Sequence, residues 1–199
     1  MDLHLVEGPK DEMVSLKETK DYLRIDHDCD DNLIGTLIKS TREAIESVIQ
    51  KTVMKRTWKY TIHSDSFNGL TAPNDNHPSL CGGTLQIPLP KPPVMKIIEV
   101  TINDKKIDAQ YYKVHKIQSK FHLAIALDKL NNIKKSKDIV VLYEAGIAED
   151  PDNVPYQLKL ANFMLVMNAY QERYSYNSDG LFAGGVKELL RPFLNLRMF

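Results

Sequence analysis

Asp31-Asn32-Leu33-Ile34-Gly35-Thr36-Leu37-Ile38-Lys39-Ser40-Thr41-Arg42-Glu43-Ala44-Ile45-Glu46-Ser47-Val48-Ile49 is the stretch that decides the fold. Leu33, Ile34, Leu37, Ile38, Thr41, Ala44, Ile45, Val48 and Ile49 recur at three-and-four spacing, which makes one stripe of a long helix apolar. Arg42, Glu43 and Glu46 fall off the stripe. Gly35 weakens the helix by under about 1 kcal/mol relative to alanine. An amphipathic stripe cannot be buried by its own helix, so its partner must come from elsewhere in the chain.

Just upstream, Ser15-Leu16-Lys17-Glu18 is a capping box. The Ser15 hydroxyl can accept from the amide of Glu18, whose side chain reaches back to the Ser15 amide. A short helix is expected from there to about Arg24, with Leu16 and Leu23 on one face. Residues 1–13, with Gly8-Pro9, read as a loose polar arm. Between the helices lies Asp26-His27-Asp28-Cys29-Asp30-Asp31, whose carboxylates suit the positive N-terminal end of the long helix. Asp26, Asp28 and Asp30 also match the opening of a calcium loop. That motif then fails twice, because Asp31 stands where glycine is required and Leu37 where the bidentate glutamate belongs.

Downstream the period changes to two. Thr57-Trp58-Lys59-Tyr60-Thr61-Ile62-His63 alternates and is rich in aromatic and β-branched residues, so it reads as a strand. Residues 64–83 read as a long loop. A short strand at 85–87 runs into Pro88-Leu89-Pro90-Lys91-Pro92-Pro93, which enforces an extended path. Further strands are expected at 97–102, 111–115, 122–127 and 139–143, with turns at Asn103-Asp104 and Asn131-Asn132. Helix returns after Asp152-Asn153-Val154-Pro155. Leu158 to Tyr170 is apolar nearly all round, which calls for burial on several sides or packing on another subunit. Residues 175–185 read as mobile. A final short helix carries Val186, Leu189, Leu190 and Phe193 on one face, and the chain continues Leu194-Asn195-Leu196-Arg197-Met198-Phe199. The expected architecture is α+β: N- and C-terminal helices (residues 14–51 and 152–197) packed as a helical bundle, with a small antiparallel β unit (52–150) inserted between them. No internal repeat is apparent.

Composition limits what such a protein can do. The 199 residues are 43% hydrophobic and 26% charged with zero net charge, so a core can be buried and a uniformly basic polyanion binder is excluded. No run approaches the roughly 18 apolar residues of a bilayer span. The first residues lack a secretory pattern, and the two cysteines, Cys29 and Cys81, do not make a disulfide framework, so a reduced cytosolic setting is expected. The zero is uneven: residues 1–50 carry a balance of −6, 51–150 of +5 and 151–199 of +1. Such halves can neutralise each other within a subunit, stay solvated, or meet the opposite sign on a neighbouring copy.

Chemistry is sparse. Phosphate-cradling glycine loops, nucleophile elbows and zincin helices are missing, and Cys81 has no basic cluster beside it to activate a thiol. His27 and Cys29 have no matching zinc partners, while His115 and His122 are placed to meet across a hairpin. No catalytic residue, cofactor site or metal site is nominated. Ten lysines against four acids at 96–137, interleaved with Tyr111, Tyr112 and Phe121, would suit a nucleic-acid backbone with stacked bases, or simply the wet face of a sheet.

Taken in order, several weak signatures resemble one family. They are Val14-Ser15-Leu16-Lys17-Glu18, Tyr22-Leu23-Arg24-Ile25-Asp26-His27-Asp28, Asp30-Asp31-Asn32-Leu33-Ile34, Thr41-Arg42, Ile45-Glu46 and Trp58. Ile87 to Pro93, Ile98-Glu99-Val100, Tyr143-Glu144-Ala145-Gly146, Val154-Pro155, Ala161, Tyr170-Gln171-Glu172-Arg173 and Gly185 to Phe193 continue the series. The chain resembles the head–tail connector (adaptor) proteins of long-tailed bacteriophages, in the longer form with a β insertion. It departs from the family in having Pro192-Phe193-Leu194 for the usual Pro-Tyr-Arg, and in the long loop at 64–83. The resemblance implies a non-enzymatic virion protein that docks under the portal protein as a dodecameric ring, continues the DNA channel without sequence-specific contact, and receives stopper, head-completion or tail proteins. It implies no cofactor and no membrane, with host cytoplasm as the site of assembly. Leu189, Leu190, Phe193, Leu196 and Phe199 are then candidates for binding the portal or a neighbouring subunit. Asp26, Asp28, Asp30 and Asp31 are candidates for a channel-facing acidic wall. The alternatives, in order, are a nucleic-acid-binding accessory protein that uses the basic β unit and a small hydrolase or transferase with an unrecognised site.

Overall fold

The computed structural model describes residues 1–63, 78–81, 83–117, 120–126, 138–171 and 185–194. The expected turn at Asn131-Asn132, most of the loop at 64–83 and most of the segment at 175–185 lie outside them. The chain forms two compact units, one of residues 9–55 with 147–199, the other of 1–8 with 56–146.

In the first unit, helix α1 (Leu16–Leu23) starts at the capping box. Glu18 N donates to Ser15 Oγ at 3.1 Å, and Ser15 N donates to Glu18 Oε2 at 2.7 Å. The helix ends at Arg24, whose φ of 58° turns the chain sharply. Helix α2 (Asp31–Ile49) buries Ile34, Ile38, Thr41, Ile45 and Ile49 along the predicted stripe, and Arg42 with them. Helix α3 (Tyr156–Gln171) lies against α2 with Leu158, Ala161, Asn162, Leu165 and Val166 buried. The short helix α4 (Val186–Leu190) closes the core with Val186 and Leu190. Full burial of a side chain such as Ile45 contributes about 1.5–3 kcal/mol. Gly185 precedes α4 at φ +89°, a conformation that disfavours any side chain.

The two places where the chain leaves and re-enters this unit are bonded to each other. Met54 and Ala148 form a parallel bridge, Lys55 N donates to Ala148 O, and Ile147 N donates to Thr52 O. An insertion between them costs little, because its ends are already held together.

Among the described residues the second unit has nine strands. These are β1 (Asp2–Glu7), β2 (Arg56–His63), β3 (Ser79–Cys81), β4 (Thr84–Leu89), β5 (Val94–Ile102), β6 (Lys105–Lys106), β7 (Tyr112–Ile117), β8 (Lys120–Ala126) and β9 (Asp138–Ala145). They make a five-stranded sheet in the order β1-β2-β9-β5-β6 and a four-stranded sheet in the order β3-β4-β8-β7. All named pairs are antiparallel. Both sheets feed one core, with Ile62, Val100, Ile139, Val141 and Tyr143 from the first and Leu85, Ile87, Leu89, Leu123 and Ile125 from the second. Burial pushes the Tyr143 phenol above its ordinary pKa, and its hydroxyl donates to Pro90 O at 2.6 Å.

The expected fold class needs correction. The chain is not a helical bundle with a small β insertion; it is a mixed, β-rich protein with two antiparallel sheets and four helices among the described residues. The reading as a loose arm missed β1, whose alternation, Asp2-Leu3-His4-Leu5, is only four residues long and whose side chains are almost all exposed. Pairing supplies the order instead, with Leu3 opposite Tyr60 and Leu5 opposite Trp58. Strand β3 was likewise hidden in the polar segment at 64–83. Nor is α3 buried on several sides: Tyr156 is 84% and Leu160 41% exposed, on the face away from Leu158, Ala161 and Leu165.

Candidate functional site

The functional surfaces follow from which side chains the two cores leave outside. At the α1–α2 corner, Lys20 holds the acidic segment together. Its Nζ lies 2.6 Å from Asp28 Oδ1 and 2.8 Å from Asp31 Oδ1. Hydrogen bonds to Asp28 and then Asp31 raise the Lys20 pKa, and the bond to Lys20 holds the Asp28 carboxyl below its ordinary value. Asp30 occupies the cap position of α2 without making the expected side-chain capping bond; its carboxylate accepts from the Tyr170 hydroxyl of α3. Asp26 and Asp28 remain exposed, and Asp30 and Asp31 are half-buried. Cys29, between them, is a free exposed thiol. The corner therefore keeps an acidic surface around one internal cation.

The scaffold behind it is a buried ion cluster. Arg42, 3% exposed, donates to Glu12 Oε2 at 2.6 Å and to Glu46 Oε2 at 3.1 Å. Glu46 Oε1 in turn accepts from Val53 N at 2.9 Å. Three separate segments are pinned through one guanidinium, whose fork suits two carboxylates at once.

Of the C-terminal candidates, Leu190 is 1% exposed inside the core, and Leu189 and Phe193 are half-buried against it. Lys51 Nζ donates to Phe193 O at 2.7 Å, tying this end of the chain to the segment after α2. Leu196 and Phe199 lie outside the described residues. The outer face of α3 is apolar and open, with Tyr156 and Leu160 exposed; Phe163 is stacked on Tyr22 of α1 at 5.1 Å between ring centroids.

On the four-stranded sheet, β7 is an edge strand paired to β8. Lys113, Val114, Lys116 and Ile117 of β7 are exposed. The register sets His115 directly opposite His122, and His115 Nε2 lies 2.8 Å from Gln86 Oε1. Tyr111, Tyr112 and Phe121 pack against the sheet core, so they do not stand out as platforms for stacked bases. Among the described residues no cluster of three or more His, Cys, Asp or Glu side chains is arranged to hold a metal ion. No helix among them is long and apolar enough to cross a membrane. The β7 edge and the Lys20 clamp escaped sequence reasoning; a local signal for the edge existed in the absence of any acidic residue from Ala109 to Leu127.

A family model described as head completion protein (HCP) matches residues 12–186. No curated protein sequence matches the chain. Among solved structures, the fold is similar to a chain in the virion of a native gene transfer agent (GTA) particle, with TM-score 0.75, 17% identity, and 100% of this chain and 98% of that chain covered. It is similar to a chain in the neck of an empty GTA particle computed with C6 symmetry, with TM-score 0.72, 16% identity and the same coverage of 100% and 98%. A third similar chain is in the neck of a native GTA particle computed with C12 symmetry, with TM-score 0.68, 16% identity and again 100% and 98% covered.

Proposed function

The chain belongs to the head completion protein family, and on that premise we propose that it is a structural, non-enzymatic component of the head–tail junction of a virion. It docks as a ring beneath the portal, continues the DNA channel and offers the next attachment surface to stopper or tail proteins. The observation that carries this reading is the family match over residues 12–186, together with whole-chain fold likeness to chains of GTA particle necks. A ring of twelve copies accords with the C12 symmetry of one of those necks. Rings require heterologous contacts, in which two different patches of one chain meet.

Leu189 and Phe193 form the portal-facing or neighbour-facing apolar end, and Leu190 anchors that end to the core; Leu196 and Phe199 are candidates for the same role on their sequence alone. Asp26, Asp28, Asp30 and Asp31 form an acidic corner that stands either on the channel side, where like charge suppresses tight binding to phosphates, or against the opposite charge of a neighbouring copy. The test is an affinity pull-down of the tagged chain from cells producing particles, read by mass spectrometry and negative-stain imaging. Recovery of portal and capsid proteins with rings or particle necks supports the reading. Recovery of nucleic acid alone, with no virion protein at any salt concentration, overturns it in favour of a nucleic-acid accessory role.

A further inference from the structure

We propose that the open β7 edge is the docking face for the acidic α1–α2 corner of a second copy, joined head to tail. This rests on the ring reading above and names the surfaces that close the ring. Among the described residues the outer side of β7 has no strand partner, and natural sheets usually blunt such an edge with lysine. Here each side of β7 sets one lysine beside one exposed apolar side chain, Lys113 with Ile117 at 47% and Lys116 with Val114 at 37%. A merely blunted edge has no need of them, whereas a protein interface combines an apolar strip with charges that select its partner.

Charge identifies the occupant. The segment from Ala109 to Leu127 holds Lys113, Lys116 and Lys120 and no carboxylate. Residues 21–31 hold Asp21, Asp26, Asp28, Asp30 and Asp31 against Arg24 alone. The side chain of Asp28 is 88% exposed although it touches Lys20. Nucleic acid is the poorer fit to the hairpin, because its aromatic residues are spent on the core. The two patches differ, so their contact propagates from copy to copy and does not close as a two-fold dimer.

Cys29 provides a native reporter on the acidic corner. In a Cys81→Ser background, Lys116→Cys protein assembled with its portal is oxidised and run on a non-reducing gel. A ladder of dimers, trimers and higher species is expected, lost on reduction, while Cys81→Ser protein without the new thiol runs as a monomer. Rings on the grid without any ladder overturn this interface and leave the ring reading standing. A bond confined to one chain, or a Cys29-to-Cys29 dimer, overturns it as well. Absence of rings for the unaltered protein sinks the ring reading and this contact together.

A charge swap tests the same contact without a covalent trap. Copies with Lys113→Glu and Lys116→Glu, or copies with Asp26→Lys and Asp28→Lys, should each fail to form rings alone. An equal mixture should form them by alternation. Rings from either variant alone overturn the proposal. Retained rings with lost DNA retention in the lysine variant would transfer the hairpin to nucleic acid.

Discussion

Asn162 Nδ2 of α3 donates to Thr41 Oγ1 of α2 at 3.0 Å, with both side chains buried. The Thr41 hydroxyl in turn donates to Leu37 O at 2.7 Å, so one polar thread crosses an otherwise apolar helix interface. Asn162 Oδ1 is buried with no hydrogen-bond partner among the described residues. Leaving such an acceptor unpaired costs about 1–3 kcal/mol. Thr41→Val should therefore destabilise the protein by about 1–3 kcal/mol, because it strips the amide of its better acceptor. Combining it with Asn162→Leu should recover most of the loss. Urea denaturation of the two single variants and the double variant measures the coupling directly.

Arg42 joins two carboxylates inside the helical unit. Arg42→Met removes the cation that Glu12 and Glu46 share, and breaking a buried pair in this way costs about 3–5 kcal/mol. Adding Glu12→Gln and Glu46→Gln should return much of that stability, since the glutamine at position 46 can still accept from Val53 N. Thermal denaturation of the single and triple variants tests the prediction. Equal melting temperatures would show that the cluster contributes little.

The capping box predicts a smaller, local effect. Ser15→Ala removes the acceptor of the Glu18 amide and should cost about 1 kcal/mol. Glu18 is held below its ordinary carboxylate pKa first by its side-chain hydrogen bond to Ser15, then by the Ser15 amide. Stabilisation from that bond is present above the unfolded value near 4.5 and is lost as pH falls through the lowered folded value. Acid titration followed by NMR should show the Glu18 midpoint move upward in Ser15→Ala.

Strand β1 carries a pH-dependent clasp. His63 Nε2 lies 2.7 Å from Asp2 Oδ2 and Nδ1 lies 3.1 Å from Asp138 Oδ1. Its pKa is raised, chiefly by the hydrogen bond to Asp2 and then by that to Asp138. A raised folded pKa gives stability that is fully present below the unfolded value near 6.5 and disappears as pH rises through the folded one. Amide exchange of β1, corrected for the intrinsic rate, should therefore accelerate on the alkaline side of that window. His63→Ala should abolish this pH dependence while leaving exchange in β9 unchanged.

Much of the local structure was legible before any coordinates. The stripe from Ile34 to Ile49, the box at Ser15 and Glu18, the alternation in β2 and the apolar run of β9 are short-range patterns that one turn or one strand expresses by itself. His115 and His122 could be paired in the same way, because one tight hairpin separates them. Arg42 was misread as a polar outlier to the stripe, because its main partner, Glu12, is 30 residues away. The acidic corner was likewise read as a set of helix caps. Lys20 and the hydroxyl of Tyr170, which is 140 residues from Asp30, take up three of its carboxylates.

The sequence by itself determined where the period is three-and-four and where it is two, which charges sit in which third of the chain, and the order of weak signatures that led to the family. Only the tertiary structure decided how many strands there are, that the first residues join a sheet, and which charges end inside. Periodicity is a property of neighbouring residues, whereas register and the burial of a charge depend on partners brought together from distant parts of the chain. Strand β1 shows the difference: its alternation runs over only Asp2 to Leu5, and its place is set by backbone pairing with β2, some fifty residues later.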